Sequence, residues 1–438
     1  MRQGFIFNYR LCVNCKACSA ACMLENGWQF AARRIFTHNI EAFDPGPVIS
    51  ISMACNHCID PPCMNGCPTS AYFKDEGSGA VIIDPMKCIG CKYCMWNCPY
   101  DAPKYNSAIR KVEKCHFCHQ LLDKGSAPAC STACPTGALG FGNIPETVSL
   151  KEVGIVPERG INPAYCFSSS LSGNKPEIIQ ALSPWRVKPE LARERNTGTG
   201  ESSLVLFSFL STLSVSVTVS DFFSGKSSHY FYSLIAVLLA VLSSLFHLGS
   251  RLNSWRALSN IRNSPLSREI LALLIYGGLL AAAPFADLAF FRVLLSLSGL
   301  ILLIIIDSVY SYSAEKTSRF HSGQVFITSL LMVSFFSLQV LPFLFMAFLK
   351  LMIIFGSGQM TGKERTGFGI RFLRISLLMI SMAVIVTGAG AGEAFSVMIF
   401  LTGELIGRYL FYTDFVPLNI IRTINKPIKI SSDEKESD

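Results

Sequence analysis

The sequence predicts a chain in two parts, a small α+β domain organised by cysteines followed by an all-α polytopic membrane domain of about eight helices. Two observations predict it. All 17 cysteines of the 438 residues lie between Cys12 and Cys166. Residues 203–413 carry none, and run as repeated Leu/Ile/Phe/Ser/Ala stretches of membrane-spanning length. Charged residues are 16% of the chain and the mean hydropathy is +0.39, which excludes a disordered chain, a collagen and a wholly soluble globule. The net charge of +8 is modest and is not read as nucleic-acid binding.

The cysteines form four groups: Cys12, Cys15, Cys18, Cys22; Cys55, Cys58, Cys63, Cys67; Cys88, Cys91, Cys94, Cys98; and Cys115, Cys118, Cys130, Cys134. Group three is C-x2-C-x2-C-x3-C-P, the run of bacterial ferredoxins. Group one has the same spacing without the proline; groups two and four stretch one gap and end in Cys-Pro. A short loop of this kind wraps three thiolates around one face of an iron–sulfur cube and sends the fourth to a neighbouring cube. Cubes therefore come in pairs, and sixteen cysteines predict four 4Fe–4S clusters in a duplicated, bacterial-ferredoxin-like arrangement over residues 1–190.

Two other uses of many cysteines fit less well. Disulfides belong to secreted scaffolds, and Met1–Asn8 has no apolar h-region and no twin arginine, so a signal peptide is not expected. Zinc sites draw four ligands from two pairs, whereas these runs crowd too many thiolates into one loop. Cys166 stands outside the pattern and reads as a plain thiol. His57, His116 and His119 sit beside ligand cysteines, but sixteen cysteines already fill the slots, so packing or hydrogen bonding near the clusters is expected of them.

Residues 1 to about 190 resemble the four-cluster electron-transfer subunit of the complex iron–sulfur molybdoenzyme family, especially its dimethyl-sulfoxide reductase type. The resemblance implies that group one pairs with group four and group two with group three. One cluster would use Cys12, Cys15, Cys18 and Cys134, and a second Cys22, Cys115, Cys118 and Cys130. A third would use Cys55, Cys58, Cys63 and Cys98, and the fourth Cys67, Cys88, Cys91 and Cys94. Some relatives replace a group-three cysteine by tryptophan and hold three irons; here Cys91 is intact.

A polar linker is expected over 191–202, a membrane anchor over 203–413 and a polar tail over 414–438. The spans read as 203–223, 229–250, 269–286, 290–311, 323–339, 341–357, 372–389 and 392–412, with a turn near Gln339–Pro342 dividing the fifth from the sixth. Arg251, Arg256, Arg262 and Arg268, then Lys316 and Arg319, then Lys363, Arg365, Arg371 and Arg374 fall on one side; the other side carries little beyond Lys226 and Arg292. The positive-inside rule puts the basic loops and both termini in the cytoplasm, and the cysteine domain on that face of a bacterial inner membrane. A partner exported with a twin-arginine leader would put it on the periplasmic face instead.

Haem b would need facing intramembrane histidines, and His229, His247 and His321 all lie at span ends, so no haem is expected. An anchor without haem still serves quinol oxidation, which needs a base at interface depth. His247 closes the second span and Glu269 opens the third. The string His247–Ser250, followed by Ser264–Ile270, resembles the anchor subunit of dimethyl-sulfoxide reductase, and so does Gly403–Tyr412. That resemblance ties His247 and Glu269 to menaquinol, with Arg251 standing where the family commonly has proline. Glu404 and Arg408, four apart, are expected to pair. Asp307 and Lys350 are expected as interhelical contacts or interface anchors, and the serines Ser208, Ser211, Ser214 and Ser216 as packing residues.

The chain shows no P-loop, dinucleotide Gly-rich turn or nucleophile elbow, and no molybdopterin-sized domain. In most relatives the electron-transfer part and the anchor are separate polypeptides, so the resemblance implies a natural fusion of the two, drawing on the quinone pool. The resemblance implies a separate catalytic subunit with a molybdenum bis-pterin guanine dinucleotide cofactor that reduces an S-oxide or N-oxide. The alternatives are the same wire serving polysulfide, thiosulfate or tetrathionate reduction, a dehydrogenase feeding quinone, and, from another class, an ion translocator with an iron–sulfur regulatory domain.

Overall fold

The computed structural model describes residues 2–38, 49–144, 161–168, 202–224, 229–286, 289–313, 321, 323–356, 365–387 and 393–414. Most of the expected linker and tail, and Lys226, Lys316, Arg319, Lys363 and the side chain of Arg365, lie outside the described residues. The chain divides into two compact units, one within Met1–Arg195 and the other Asn196–Pro417.

In the first unit, strand β1 (Arg2–Phe7) is central in a three-stranded sheet, antiparallel to β8 (Leu139–Ile144) and parallel to β9 (Tyr165–Phe167). Phe5 and Phe7 alternate into the core with Leu139, Ile144, Tyr165 and Phe167. Position 4 must be glycine, because a Cβ there would stand 2.5 Å from the Ala164 carbonyl oxygen, which accepts the neighbouring Phe5 N–H. Three hairpins complete the strands: β2 (Arg34–His38) with β3 (Ile49–Met53), β4 (Tyr72–Lys74) with β5 (Val81–Ile83), and β6 (Lys104–Asn106) with β7 (Lys111–Glu113).

The helices of this unit are short and follow the cysteines. Helix α1 (Ala17–Asn26) carries Cys18 and Cys22 one turn apart and stops at Gly27, whose left-handed φ of 63° returns its N–H to Leu24. Helices α2 (Pro62–Asn65), α3 (Tyr93–Asn97) and α5 (Ala129–Thr132) each carry the third cysteine of a group, with the fourth just beyond the end. Helix α4 (His119–Leu122) follows Cys118.

The second unit is helical: α6 (Ser202–Ser224), α7 (Tyr230–Phe246), α8 (Pro265–Ala282), α9 (Ala289–Ser313), α10 (Val325–Phe336), α11 (Val340–Gly356), α12 (Arg365–Thr387) and α13 (Glu393–Asp414). Among the described residues five helices are long and apolar enough to cross a membrane, or six if α7 and the turn helix Arg251–Leu258, bent by 108°, count as one. These supply five or six of the eight expected spans. At 1.5 Å per residue α10 reaches about 18 Å, short of the ~30 Å of hydrocarbon. It ends where Leu338 turns left-handed, φ 54°, and Pro342 then sits in the first turn of α11.

Helix α6 packs against α7, α9, α10 and α13. Its hydroxyls explain how a serine-rich helix is buried. Ser211, Thr212 and Ser216 bond back to carbonyls four residues earlier, at 2.7–2.8 Å, and Ser216 also meets Ser329 across the interface at 3.0 Å. Ser214 reaches the Ser233 carbonyl and the Tyr276 hydroxyl. With polar groups satisfied and small side chains between backbones, close helix packing is available.

Charges follow the same rule, with one correction. Glu404 pairs with Lys350 across helices rather than with Arg408 on its own helix. Lys350 also donates to Thr328, and Arg374 lies in electrostatic range of Glu404. Arg408 points elsewhere, donating to Ser208 at 2.7 Å and to the Gly323 carbonyl at 3.0 Å. Asp307 accepts the N–H groups of Val325 and Phe326, each at 3.0 Å, at the start of α10. Both Lys350 and Glu404 are buried, so removing either leaves charge uncompensated. Glu404→Leu strands two cations, and is expected to cost about 3–5 kcal/mol. Lys350→Leu leaves Glu404 facing Arg374 and is expected to cost less. Unfolding of the two variants in detergent micelles checks that order.

Candidate iron–sulfur site

The four cysteine groups share one backbone device. The residue before each second cysteine is left-handed: Asn14 (φ 56°), His57 (φ 40°), Gly90 (φ 68°) and Phe117 (φ 61°). Three of the four are not glycine, and for His and Phe this conformation is costly enough to persist only where the surroundings impose it. Alternation of right- and left-handed residues turns successive N–H groups into one concavity, the nest that suits anionic phosphates and iron–sulfur centres. His57 and Phe117 occupy matching places in groups two and four, and their rings stack with centroids 3.6 Å apart. Phe117 continues into Phe5 and Phe141, so the two loops meet on the core of the sheet.

The fourth cysteines of groups two and four share a second device. Cys67 and Cys134 each head a Cys-Pro-Thr string. The Thr69 hydroxyl lies 3.6 Å from the Cys67 sulfur and the Thr136 hydroxyl 3.8 Å from that of Cys134. Backbone N–H groups of Ala71 and Leu139 donate to the same sulfurs at 3.4 Å. At Cys134 burial pushes the thiol up, but these donors outweigh it and the net shift is downward.

Electrostatic proximity sorts the cysteines into four sets. Cys12 interacts with Cys18, Cys134 and Cys15. Cys22 interacts with Cys130 and Cys118, and Cys115 with Cys55 first and then with Cys22 and Cys130. Cys58 interacts with Cys55, Cys63 and Cys98, and Cys94 with Cys91, Cys67 and Cys88. Cys22, Cys115, Cys118 and Cys130 line a cavity of about 260 Å³, and Cys67, Cys88, Cys91 and Cys94 one of about 320 Å³. The sets also follow one another: Arg33 lies near Cys18 and near Cys115 and Cys130, Cys115 and Lys114 near Cys55, and Tyr72 between Cys63 and Cys94.

Burial and then mutual repulsion raise most of these thiols, Cys22 to about 11, Cys91 to about 12 and, by burial with Cys55, Cys98 to about 12. Thiols such as Cys22, Cys58, Cys91 and Cys98 resist ionising together, and the iron of a 4Fe–4S core supplies the cationic charge that would relieve this. Among the described residues no three His, Cys, Asp or Glu groups close on the position of a single metal ion. The donor sets, thiols alone with several in each short loop, fit iron–sulfur chemistry.

Sequence reasoning missed two buried cations here. Lys114 donates to the carbonyls of Val81 and Cys115, and Arg33 to Ser52. Neither spacing nor hydropathy marks them, although the Cys-Pro-Thr repeat was legible. The histidines pack: His57 Nδ1 accepts the Val81 N–H at 2.9 Å, and burial, then Lys114, keeps its ring neutral. His116 and His119 face each other at 3.2 Å, and burial, then His119, pushes His116 down to about 4.

In the helical unit, His247 is the residue that closes α7, and Glu269 is buried in the first turns of α8. The turn helix Arg251–Leu258 joins the two elements, so both residues belong to one end of this helix pair. Glu269 lies within electrostatic range of Arg408, Tyr310 and Tyr412, partners its sequence position did not announce.

A family model described as a 4Fe-4S dicluster domain matches residues 48–144. Protein NrfC of Escherichia coli is 34% identical over 184 residues, spanning 41% of this chain and 80% of that protein. The chain is a member of the NrfC family of iron–sulfur proteins. One component of the anaerobic dimethyl sulfoxide reductase of Haemophilus influenzae is 37% identical, over 33% of this chain and 76% of the relative. One component of the tetrathionate reductase of Salmonella typhimurium is 35% identical, over 33% and 58%. The dicluster match and the kinship with components of oxidoreductases support a 4Fe–4S electron-transfer role for the cysteine unit. These matches leave more than half of the chain, on their own measure, without a counterpart.

Cys166 belongs to the fold and not to a sulfur set. It is fully buried in β9, paired in register with Ile6. Cys166→Ala is expected to leave the iron content unchanged and to cost about 1 kcal/mol for the lost sulfur. Iron analysis and thermal unfolding of the variant check both statements.

Proposed function

We propose that this chain is the electron-transfer and membrane-anchor subunit of an anaerobic respiratory reductase, a fusion of two subunits. It oxidises menaquinol in the helical unit and delivers electrons to a separate molybdopterin subunit that reduces an S-oxide or N-oxide. The supporting observation is the row of four thiol sets, adjoining in sequence within one unit, in a chain that also holds apolar helices of membrane-spanning length.

The first set is Cys12, Cys15, Cys18 and Cys134, and the second Cys22, Cys115, Cys118 and Cys130. The third is Cys55, Cys58, Cys63 and Cys98, and the fourth Cys67, Cys88, Cys91 and Cys94. When bound, 4Fe–4S clusters supply one-electron carriers. The chain's own part is to hold each set on a backbone nest, to exclude water with Phe117, Tyr100 and Tyr72, and to place cations between sets.

At the quinol end, oxidation releases two protons with two electrons, so a base is required at each hydroxyl. His247 is read as the imidazole that receives a quinol hydroxyl, and Glu269 as the buried carboxylate that carries a proton away, its charge balanced by Arg408. The basic turn Arg251, Arg256, Arg262 and Arg268 reads as the cytoplasmic end of this helix pair. Relatives named for tetrathionate reduction and for sulfite dehydrogenation match at 35% and 29% identity, which favours sulfur oxyanion chemistry as the second reading for the partner.

Anaerobically purified protein is expected to hold about 16 iron and 16 acid-labile sulfide per chain. A count near eight of each would overturn the four-cluster reading. His247→Ala and Glu269→Gln are expected to keep the iron and to be reduced normally by dithionite, while menaquinol-driven reduction of the clusters falls by about 100-fold or more. Unchanged quinol-driven reduction in both variants would remove the quinol site from this end of α7 and α8.

A further inference from the structure

Among the described residues of the cysteine unit, Arg33 is the most deeply buried guanidinium, with no exposed surface. Its Nη1 donates to the Ser52 carbonyl at 3.4 Å and to the Ser52 hydroxyl at 3.3 Å, and its carbon lies 4.0 Å over the Phe5 ring. Its Nε and Nη2 are buried with no hydrogen-bond partner. The same side chain lines the cavity enclosed by Cys22, Cys115, Cys118 and Cys130. Ser52 in turn lies 3.4 Å from the Cys18 sulfur, so the guanidinium stands between the first and second sets.

No carboxylate is paired with Arg33 among the ion pairs of the described residues. A lone buried cation costs several kcal/mol unless an anion compensates it. The charges nearest to it are sulfurs, Cys130, Cys115 and Cys18. Two donor nitrogens left over on a side chain that lines a sulfur-lined cavity are what an anionic centre there would use. Lys114 repeats the arrangement on the far side, near Cys55, Cys63 and Cys115, so the second set has a fixed cation toward each neighbour.

We propose that Arg33 is a positioning residue that sets the reduction potential of the cluster on Cys22, Cys115, Cys118 and Cys130, holding it above the value those ligands alone would give. This rests on the four-cluster reading. Accepting one electron, from an adjoining cluster or from dithionite, adds one negative charge to the set without moving a proton. A fixed guanidinium stabilises the reduced form more than the oxidised form, and low dielectric strengthens the effect. Arginine suits this place better than lysine, because its fork offers Nη1 to Ser52 and two further donors to the cavity at once.

The test is a redox titration of the anaerobically purified full chain, followed by electron paramagnetic resonance, with iron and sulfide measured on each sample. Arg33→Met is expected to lower one midpoint by at least a tenfold change in the one-electron equilibrium, about 59 mV, with the other midpoints moving less. Arg33→Lys keeps the charge but gives up the inward donors, and is expected to lower the same midpoint by about threefold in that equilibrium. Four unshifted midpoints in an iron-loaded Arg33→Met protein overturn the proposal. Should that variant fail to fold, unshifted midpoints in Arg33→Lys overturn it. Wild-type protein without reducible 4Fe–4S signals would instead sink the cluster reading itself, so the two failures are told apart.

Discussion

Confinement of negative charge on buried sulfur governs this molecule. Thiols packed as closely as Cys22 with Cys130, or Cys94 with Cys91, resist ionisation, both through burial and through one another. Everything around them offsets that resistance. The left-handed residues Asn14, His57, Gly90 and Phe117 turn backbone N–H groups inward, and Thr69, Thr136, Ala71 and Leu139 donate to sulfur. Arg33 and Lys114 bring full positive charge into the interior. The strands are short because they have little else to do than carry these loops and the aromatic core of Phe5, Phe117 and Phe141.

The helical unit meets the same constraint with different means. Its charges are few, and several are compensated between helices: Lys350 with Glu404, Arg371 with Asp414, and Asp307 with backbone N–H groups. Arg408 is held by a serine, a carbonyl and the faces of Tyr310, Phe411 and Tyr412. Such an arrangement leaves Glu269 with a countercharge while it stays buried.

Much of the candidate site was legible in the residue order. The spacing of group three announces a cluster-binding loop without any structure, and the repeated Cys-Pro-Thr after groups two and four announces that two loops end alike. Helix positions in the second unit follow from hydropathy, and the turn expected near Gln339–Pro342 falls at Leu338. What hydropathy does not measure is where a helix ends, and so the span expected over 323–339 is a helix of only 12 residues, Val325–Phe336. The pairing expected of Glu404 and Arg408 failed for a related reason. Neighbours on one helix face compete with neighbours on other helices, and here Lys350 and Gly323 win.

The sequence by itself determined which atoms can bind iron and roughly where the polypeptide becomes apolar, because ligand spacing and hydropathy are local properties. Tertiary structure alone decided which distant groups face each other: Cys134 with Cys12, Cys130 with Cys22, Arg33 with Cys130 and Cys18, and Arg408 with Glu269. Countercharge is the property most sensitive to that decision. Coulomb energy depends on distances across the fold and on the water excluded between the charges, and neither is written in the order of residues.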